Sequence, residues 1–361
     1  MAKMNRRQFV RWVAGSAGAL GLEQVLAACS QPAQPTTLPA TPPSKGELAS
    51  PTILVPNSPS TPTPNSQASP AQAGTPTTTS PTPTKTSPKS GATQLVVARG
   101  GEPEVLAQRA FAALGGMEAF VKKGMDVIIK PNICTAYHTY EYATTTNPFL
   151  VGALVKMALQ AGAKRVRVMD APFGGGPSEA YAISGIADEV KKAGGTMEIM
   201  SKLKYTRADI PEGKAITQWG FYRDILKADV VINVPIAKTH SLATLTLGMK
   251  NLMGVIQNRE SIHANMGQML ADITSRVRPV VTVVDAIRIL VRNGPTGGSL
   301  DDVKKLDTLI VSRDIVAADT YAAGLFNIDP QSLGYITAGA AMGLGTSDLA
   351  SLKIEEINVG A

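Results

Sequence analysis

Asp229-Val230-Val231-Ile232-Asn233-Val234 runs without a break into Pro235-Ile236-Ala237 and then Lys238-Thr239-His240. An almost wholly apolar hexapeptide closed by proline reads as a strand covered on both faces, the kind that parallel sheets use. Strands of related character are predicted at 95–98, 126–130, 165–169, 196–200, 279–284 and 308–312. Apolar residues at helical spacing fall between them over 102–120, 148–161 and 178–193. The second of these helices opens on Pro148 and stops before Gly162, the usual asymmetry of helix ends. Strand and helix in alternation imply an α/β fold with a mostly parallel sheet and helices on both faces. The stretch 202–219 breaks the rhythm and is predicted to be an insertion or a small antiparallel excursion, which leaves room for a small second lobe.

The polar residues gather where such strands end. Lys130-Pro131-Asn132 closes the second strand, Asp170 the third, Asn233 the strand quoted above and Asp285 the one after it, while Asp314 and Asp319 follow the last. Open parallel sheets bind ligands beyond the carboxyl ends of their strands, so these positions are predicted to converge on one cleft. The segment 238–263 is the densest part, with Lys238, His240, Lys250, Asn251, Arg259 and His263 and little negative charge. Thr246–Gly254 is read as a short helix, with Lys250 four residues after Thr246 and so on the same face. The lysines punctuate apolar stretches, which suits a cationic pocket for a carboxylate or phosphate better than a solvated face.

His240 and His263 are the candidates for general acid or base, since imidazole ordinarily titrates near neutrality. Lys238 and Lys250 would bind or polarise the anion, with Lys130, Asn132, Asn233, Asn251 and Arg259 around them. Asp170, Asp285 and Asp319 could orient bases or hold a divalent cation, which takes oxygen ligands; aspartates at such positions also serve as helix caps. His138 lies among Tyr137, Tyr140 and Tyr142 and reads as part of a rim or lid. Gly174-Gly175-Gly176 follows a strand and precedes a helix but matches neither of the common phosphate-loop patterns.

The run from Asn233 through Lys238-Thr239-His240 to Thr246-Leu247-Gly248-Met249-Lys250-Asn251-Leu252-Met253-Gly254 resembles the hallmark of the domain-of-unknown-function family 362. Lys130-Pro131-Asn132, Thr145-Thr146-Asn147-Pro148, Asp170-Ala171-Pro172, Asp285-Ala286 and Ala317-Ala318-Asp319 agree with it. The resemblance covers nearly the whole of residues 94–361 and implies the fold and the location of the site rather than a reaction. Asn147 stands where that family often has His, and the cysteine-rich ferredoxin-like tail of many members has no counterpart.

Ahead of this domain the chain changes character. Residues 1–29 read as an export signal: Arg6-Arg7-Gln8-Phe9-Val10-Arg11 resembles a twin-arginine motif, and Leu26-Ala27-Ala28-Cys29 resembles a lipobox whose cysteine is lipidated. The apolar run from Trp12 to Leu22 is shorter than the roughly 20 residues a membrane span needs. Residues 30–93 are dominated by Pro, Thr and Ser and contain no aromatic residue, so they are read as a disordered tether. The whole chain has 361 residues and a formal charge of +7. Seven of its 35 basic residues and two of its 28 acids precede Gln94, so the domain itself is nearly neutral. That argues against a nucleic-acid partner. With only Cys29 and Cys134, neither a disulfide framework nor a four-cysteine iron–sulfur cluster can form within one chain.

The sequence therefore points to an exported protein, engaged by the twin-arginine translocase and then anchored to the cell membrane through Cys29 on its periplasmic or extracellular face. Its domain would act as an enzyme on a small anion through a Lys/His/Asp cleft, with no reaction class assigned; the alternative is a ligand-binding lipoprotein without turnover. The anchor is checked by fractionation: Cys29→Ala should move the protein from the membrane to the soluble fraction. A variant that still sediments with membranes as the wild type does would overturn the assignment.

Overall fold

The computed structural model describes residues 93–360; the expectations for the export signal, Cys29 and nearly all of the tether lie outside the described residues. Alternate side chains along each central strand enter two different apolar layers. Val127, Ile129, Val230, Ile232, Val281 and Val283 pack with Leu106, Phe111, Leu150 and Leu154. Ile128, Val231, Val284 and Ile310 pack on the other side with Leu270, Ile273, Val316 and Ile336. A strand buried on both faces takes apolar residues at most positions, which is why these segments read as nearly continuous hydrophobic runs.

The described residues begin with β1 (Leu95–Arg99), α1 (Pro103–Ala113), β2 (Asp126–Pro131), α2 (Pro148–Gln160) and β3 (Arg165–Val168). Next come α3 (Pro177–Ile183), α4 (Ile186–Lys192), β4 (Thr196–Met197), β5 (Tyr205–Asp209), β6 (Gln218–Tyr222) and α5 (Arg223–Lys227). The central region holds β7 (Val230–Val234), β8 (Ile236–His240), β9 (Thr244–Thr246), α6 (Gly248–Asn251) and α7 (Met266–Val277). β10 (Val281–Leu290), β11 (Val303–Ser312), α8 (Ile315–Gly324), α9 (Gly334–Ala341) and β12 (Ile354–Asn358) complete it. The main sheet runs in the order β12-β1-β11-β10-β7-β2-β3-β4, with β8 and β9 attached beside β10. Five of the seven pairings along that path are parallel; β1–β11 and β10–β11 are antiparallel. From β2 the chain moves outward through β3 to β4 and then returns to β7 on the other side of β2. The β2–β7 boundary is therefore the topological switch point, where the crevice of an open sheet lies. Lys130 and Asn233 are register partners across it.

Several elements depart from the sequence expectation. β10 and β11 are each ten residues long, because their outer halves, amphipathic at Ile287-Arg288-Ile289 and Lys304-Lys305-Leu306, pair with each other beyond the body of the sheet. The helix expected over 178–193 is broken into α3 and α4 at Gly185, whose φ of +74° interrupts the helical path. The strand expected over 196–200 is cut to two residues. The excursion at 202–219 is the antiparallel β5–β6 hairpin, and Ile210, Phe221 and Tyr222 bury it in the same apolar layer as Ile128 and Val231, so it does not make a lobe of its own.

α6 has only four residues and is too short to be stable by itself. Asp319 on α8 holds its start: Oδ1 accepts from Gly248 N at 2.6 Å and Oδ2 from Met249 N at 3.0 Å. Asp319 is fully buried, and burial pushes its carboxyl up to about 7 against those two amides. Asp319→Ala would strand both donors away from water, at about 1–3 kcal/mol each. The variant is expected to lose roughly 2–4 kcal/mol in urea unfolding. A loss below about half a kcal/mol, the range of an ordinary surface substitution, would show that α6 stands without this cap.

Candidate functional site

Lys130 ends β2 on the same side as Ile128, facing α6. It is 1% exposed, and all three of its ammonium protons are used: by Asp170 Oδ1 at 2.8 Å, Asn251 Oδ1 at 2.7 Å and the carbonyl of Pro131 at 2.9 Å. Burial lowers its pKa and the Asp170 carboxylate opposes that shift. Asp170 in turn accepts Ile133 N (2.6 Å) and Ala171 N (2.8 Å). Asn251 accepts from Lys130 and from Asn132 Nδ2 (3.1 Å), and donates to the Lys130 carbonyl (3.2 Å) and Asn233 Oδ1 (2.9 Å). Asn233 then donates to the Gly248 carbonyl at 2.9 Å. This network straps α6 onto the switch point. Gly254 closes the arrangement, since a Cβ there would collide with Asp170 Oδ1 and Lys130 Nζ.

Over this floor lies a cleft of about 310 Å³, lined by Lys130, Asn132, Cys134, Asp170, Lys238, His240, Thr246, Lys250, Asn251, Arg259 and His263 among others. Its three lysines differ in what holds them. Lys130 is saturated. Lys238 donates to the carbonyls of Thr144 (2.6 Å) and Pro295 (3.1 Å) beside the thiol of Cys134, and burial lowers its pKa. Lys250, 9% exposed, has no hydrogen-bond or ion-pair partner among the described residues. Burial, with the charges of Lys238, Arg259 and Lys130, brings its ammonium down from 10.5 to about 8. Arg259 is committed to the loop after β3, donating to the carbonyls of Ala171 (2.6 Å) and Pro172 (3.2 Å).

His240 follows a different logic from the one its ordinary pKa suggests. Its Nδ1 accepts from the amides of Leu242 (3.1 Å) and Ala243 (3.2 Å), which leaves the proton on Nε2. Burial, then Lys250, Lys238 and His263, push it down to about 3. At neutral pH the ring is uncharged and offers one N–H, while the ammonium of Lys250 is brought down toward neutrality. His263 is exposed at the rim. The cleft carries net positive charge, because Asp170 offsets Lys130 and the rim acid Glu260 offsets only one of Lys238, Lys250 and Arg259. A free ammonium, an N–H and the unpartnered hydroxyl of Thr246 are all groups that can donate a hydrogen bond to an oxyanion.

Of the residues expected at the site, Lys130, Asn132, Asp170, Lys238, His240, Lys250, Asn251, Arg259 and His263 line the one cleft. Asn233, Asp285 and Asp319 do not. Asn233 stands behind the wall and positions Asn251. Asp285 shares its face with Val281 and Val283, where it accepts Asn147 N (2.7 Å) and Ile287 N (3.0 Å); burial raises it to about 6. The three aspartates are thus on separate backbone amides, and among the described residues no three His, Cys, Asp or Glu are placed to hold a metal ion. His138 stacks on Tyr142 at 4.5 Å. Thr144 and Pro295 hold Lys238 through their backbone carbonyls, a role that leaves no mark on residue type.

Residues 127–324 match the family described as Domain of unknown function (DUF362), a span that contains every candidate site residue of the domain. A thylakoid-associated protein of Synechocystis is 27% identical over 246 residues, covering 64% of this chain and 72% of its own. The lactate racemase apoprotein from Thermoanaerobacterium thermosaccharolyticum aligns with a TM-score of 0.36 at 12% identity over 65% of this chain. The aligned part spans 57% of the racemase.

Lys250 generates a prediction with a definite sign. In the unfolded chain it stays charged up to about 10.5, whereas in the folded protein it releases its proton near 8. The folded state therefore carries the whole cost of the buried charge below pH 8 and is relieved of it as pH rises toward 10.5. Lys250→Met should stabilise the protein at pH 7 by up to about 3 kcal/mol, an advantage that shrinks between pH 8 and 10.5. Thermal unfolding across that range checks it; a destabilised variant at pH 7 would mean that Lys250 is a structural residue.

Proposed function

We propose that this chain, which belongs to the DUF362 family, is an exported, membrane-tethered enzyme that binds a small anion at Lys250 and acts on it. The observation that carries the reading is the nearly buried Lys250 ammonium without a partner, since an unpaired buried charge is costly and persists where a ligand completes it. A bound anion would draw the Lys250 pKa back upward, and the Nε2–H of His240 would hold or polarise the same oxygen. Lys250 then takes the acid–base role that His240 cannot fill at neutral pH. Lys130, Asp170, Asn251 and Asn233 act as positioning residues. Export and anchoring rest on the twin-arginine-like and lipobox-like segments ahead of residue 30. The relative described as thylakoid-associated supports membrane association.

One observation favours the alternative of ligand capture without turnover: His240 is fixed by two backbone amides and uncharged, as suits a rigid recognition group. The test uses the full-length protein. Acetate and inorganic phosphate are titrated by calorimetry, and compounds that co-purify are identified by native mass spectrometry, returned to the protein and followed by NMR. Lys250→Met should weaken anion binding about tenfold to a hundredfold, the worth of a charge-assisted hydrogen bond. Unchanged affinity in that variant would remove the anion site. Recovery of every co-purified compound unaltered after prolonged incubation would decide for capture over catalysis.

A further inference from the structure

The mouth of the cleft has a character opposite to its floor. Phe173 and Leu242 both line it and are 57% and 64% exposed, and neither belongs to an apolar core of the domain. Their backbones are tied to the site: Phe173 N donates to the Cys134 carbonyl at 3.0 Å, and Leu242 N to His240 Nδ1 at 3.1 Å. Tyr137, 59% exposed, lies over Gly174 in the same loop pair, so that a Cβ on Gly174 would meet its hydroxyl at 2.6 Å. Single exposed apolar side chains are common on protein surfaces. Here they come from two separate loops, after β3 and between β8 and β9, and meet at one opening, while Ile133 and Met253 continue the apolar wall inward.

Resting on the anion reading above, we infer that the ligand is amphipathic: an anionic carboxylate or phosphate head at Lys250 and His240, and an aliphatic or aromatic body passing between Phe173 and Leu242. At about 310 Å³ the cleft is at the small end of ligand pockets, which suits a head group with a short body. An anion without that body would leave the two exposed side chains in water and gain nothing from them.

Titration of the full-length protein with acetate, butanoate, hexanoate and octanoate tests this. Affinity should rise about threefold to fourfold for each added methylene that is buried. The double variant Phe173→Ser, Leu242→Ser lies outside the core and should fold normally. It should bind acetate within twofold of the wild type and lose most of the dependence on chain length, whereas Lys250→Met should weaken every member alike. Octyl phosphate in place of octanoate should show the same loss in the double variant. A flat response to chain length in the wild type, or an undiminished slope in the double variant with either head group, would overturn the amphipathic ligand while leaving the anion site in place. No binding by any member would overturn both.

Discussion

A lysine held 1% exposed at the end of a central strand must have all three ammonium protons accepted, and most of the site follows from meeting that condition at Lys130. A carboxylate is needed to offset the charge, and Asp170 supplies it from the neighbouring strand end. A second acceptor is needed from above the sheet, and Asn251 supplies it, so α6 must lie against the β2–β7 boundary. Room for the contact requires a residue without a side chain, which is Gly254. A helix as short as α6 then needs a cap, and Asp319 provides one from the far side of the same layer. Breaking such a buried pair by removing one partner costs about 3–5 kcal/mol, since the other charge is left uncompensated. The pair therefore fixes geometry more than it adds stability.

The three lysines of the cleft show how environment divides labour among identical side chains. Lys130 is saturated, Lys238 is held by two carbonyls, and Lys250 has no partner among the described residues. The first anchors, the second keeps positive potential inside the walls, and the third is available. No property of a lysine in sequence distinguishes these states. They depend on acceptors that the chain path brings close: for Lys130 the carbonyl of the next residue, Pro131, with Asp170 and Asn251, and for Lys238 the carbonyls of Thr144 and Pro295 from distant segments.

This marks how far the sequence was readable. Nearly continuous apolar runs such as 229–234 identified the central strands, because burial on both faces favours apolar residues at successive positions. The polar residues that follow them identified one end of the sheet, and most proved to line one cleft. Asp285 was grouped with Asp170 because both close a strand. Asp285 lies within β10, on the face of Val281 and Val283, whereas Asp170 lies two residues beyond β3, where the chain turns toward Lys130, a difference hidden without the strand bounds. The break at Gly185 and the outer halves of β10 and β11 were missed for related reasons: a single positive φ and a pairing between two amphipathic segments are tertiary facts with weak local signatures. His240 was read from its ordinary titration range, which its burial among lysines overrides.

β1 is the first regular element after the Pro/Thr/Ser-rich segment, and it is flanked on both sides, by β11 antiparallel and β12 parallel, over five residue pairs each. A pull along the chain from its N-terminal side thus enters the sheet along a strand axis and loads two hydrogen-bond ladders together, in shear, rather than peeling one open bond by bond. Two further strands, β11 and β10, separate β1 from β7. A load applied there would reach β1 first and would have to cross β11 and β10 before it met the strands that carry Lys130 and Asn233.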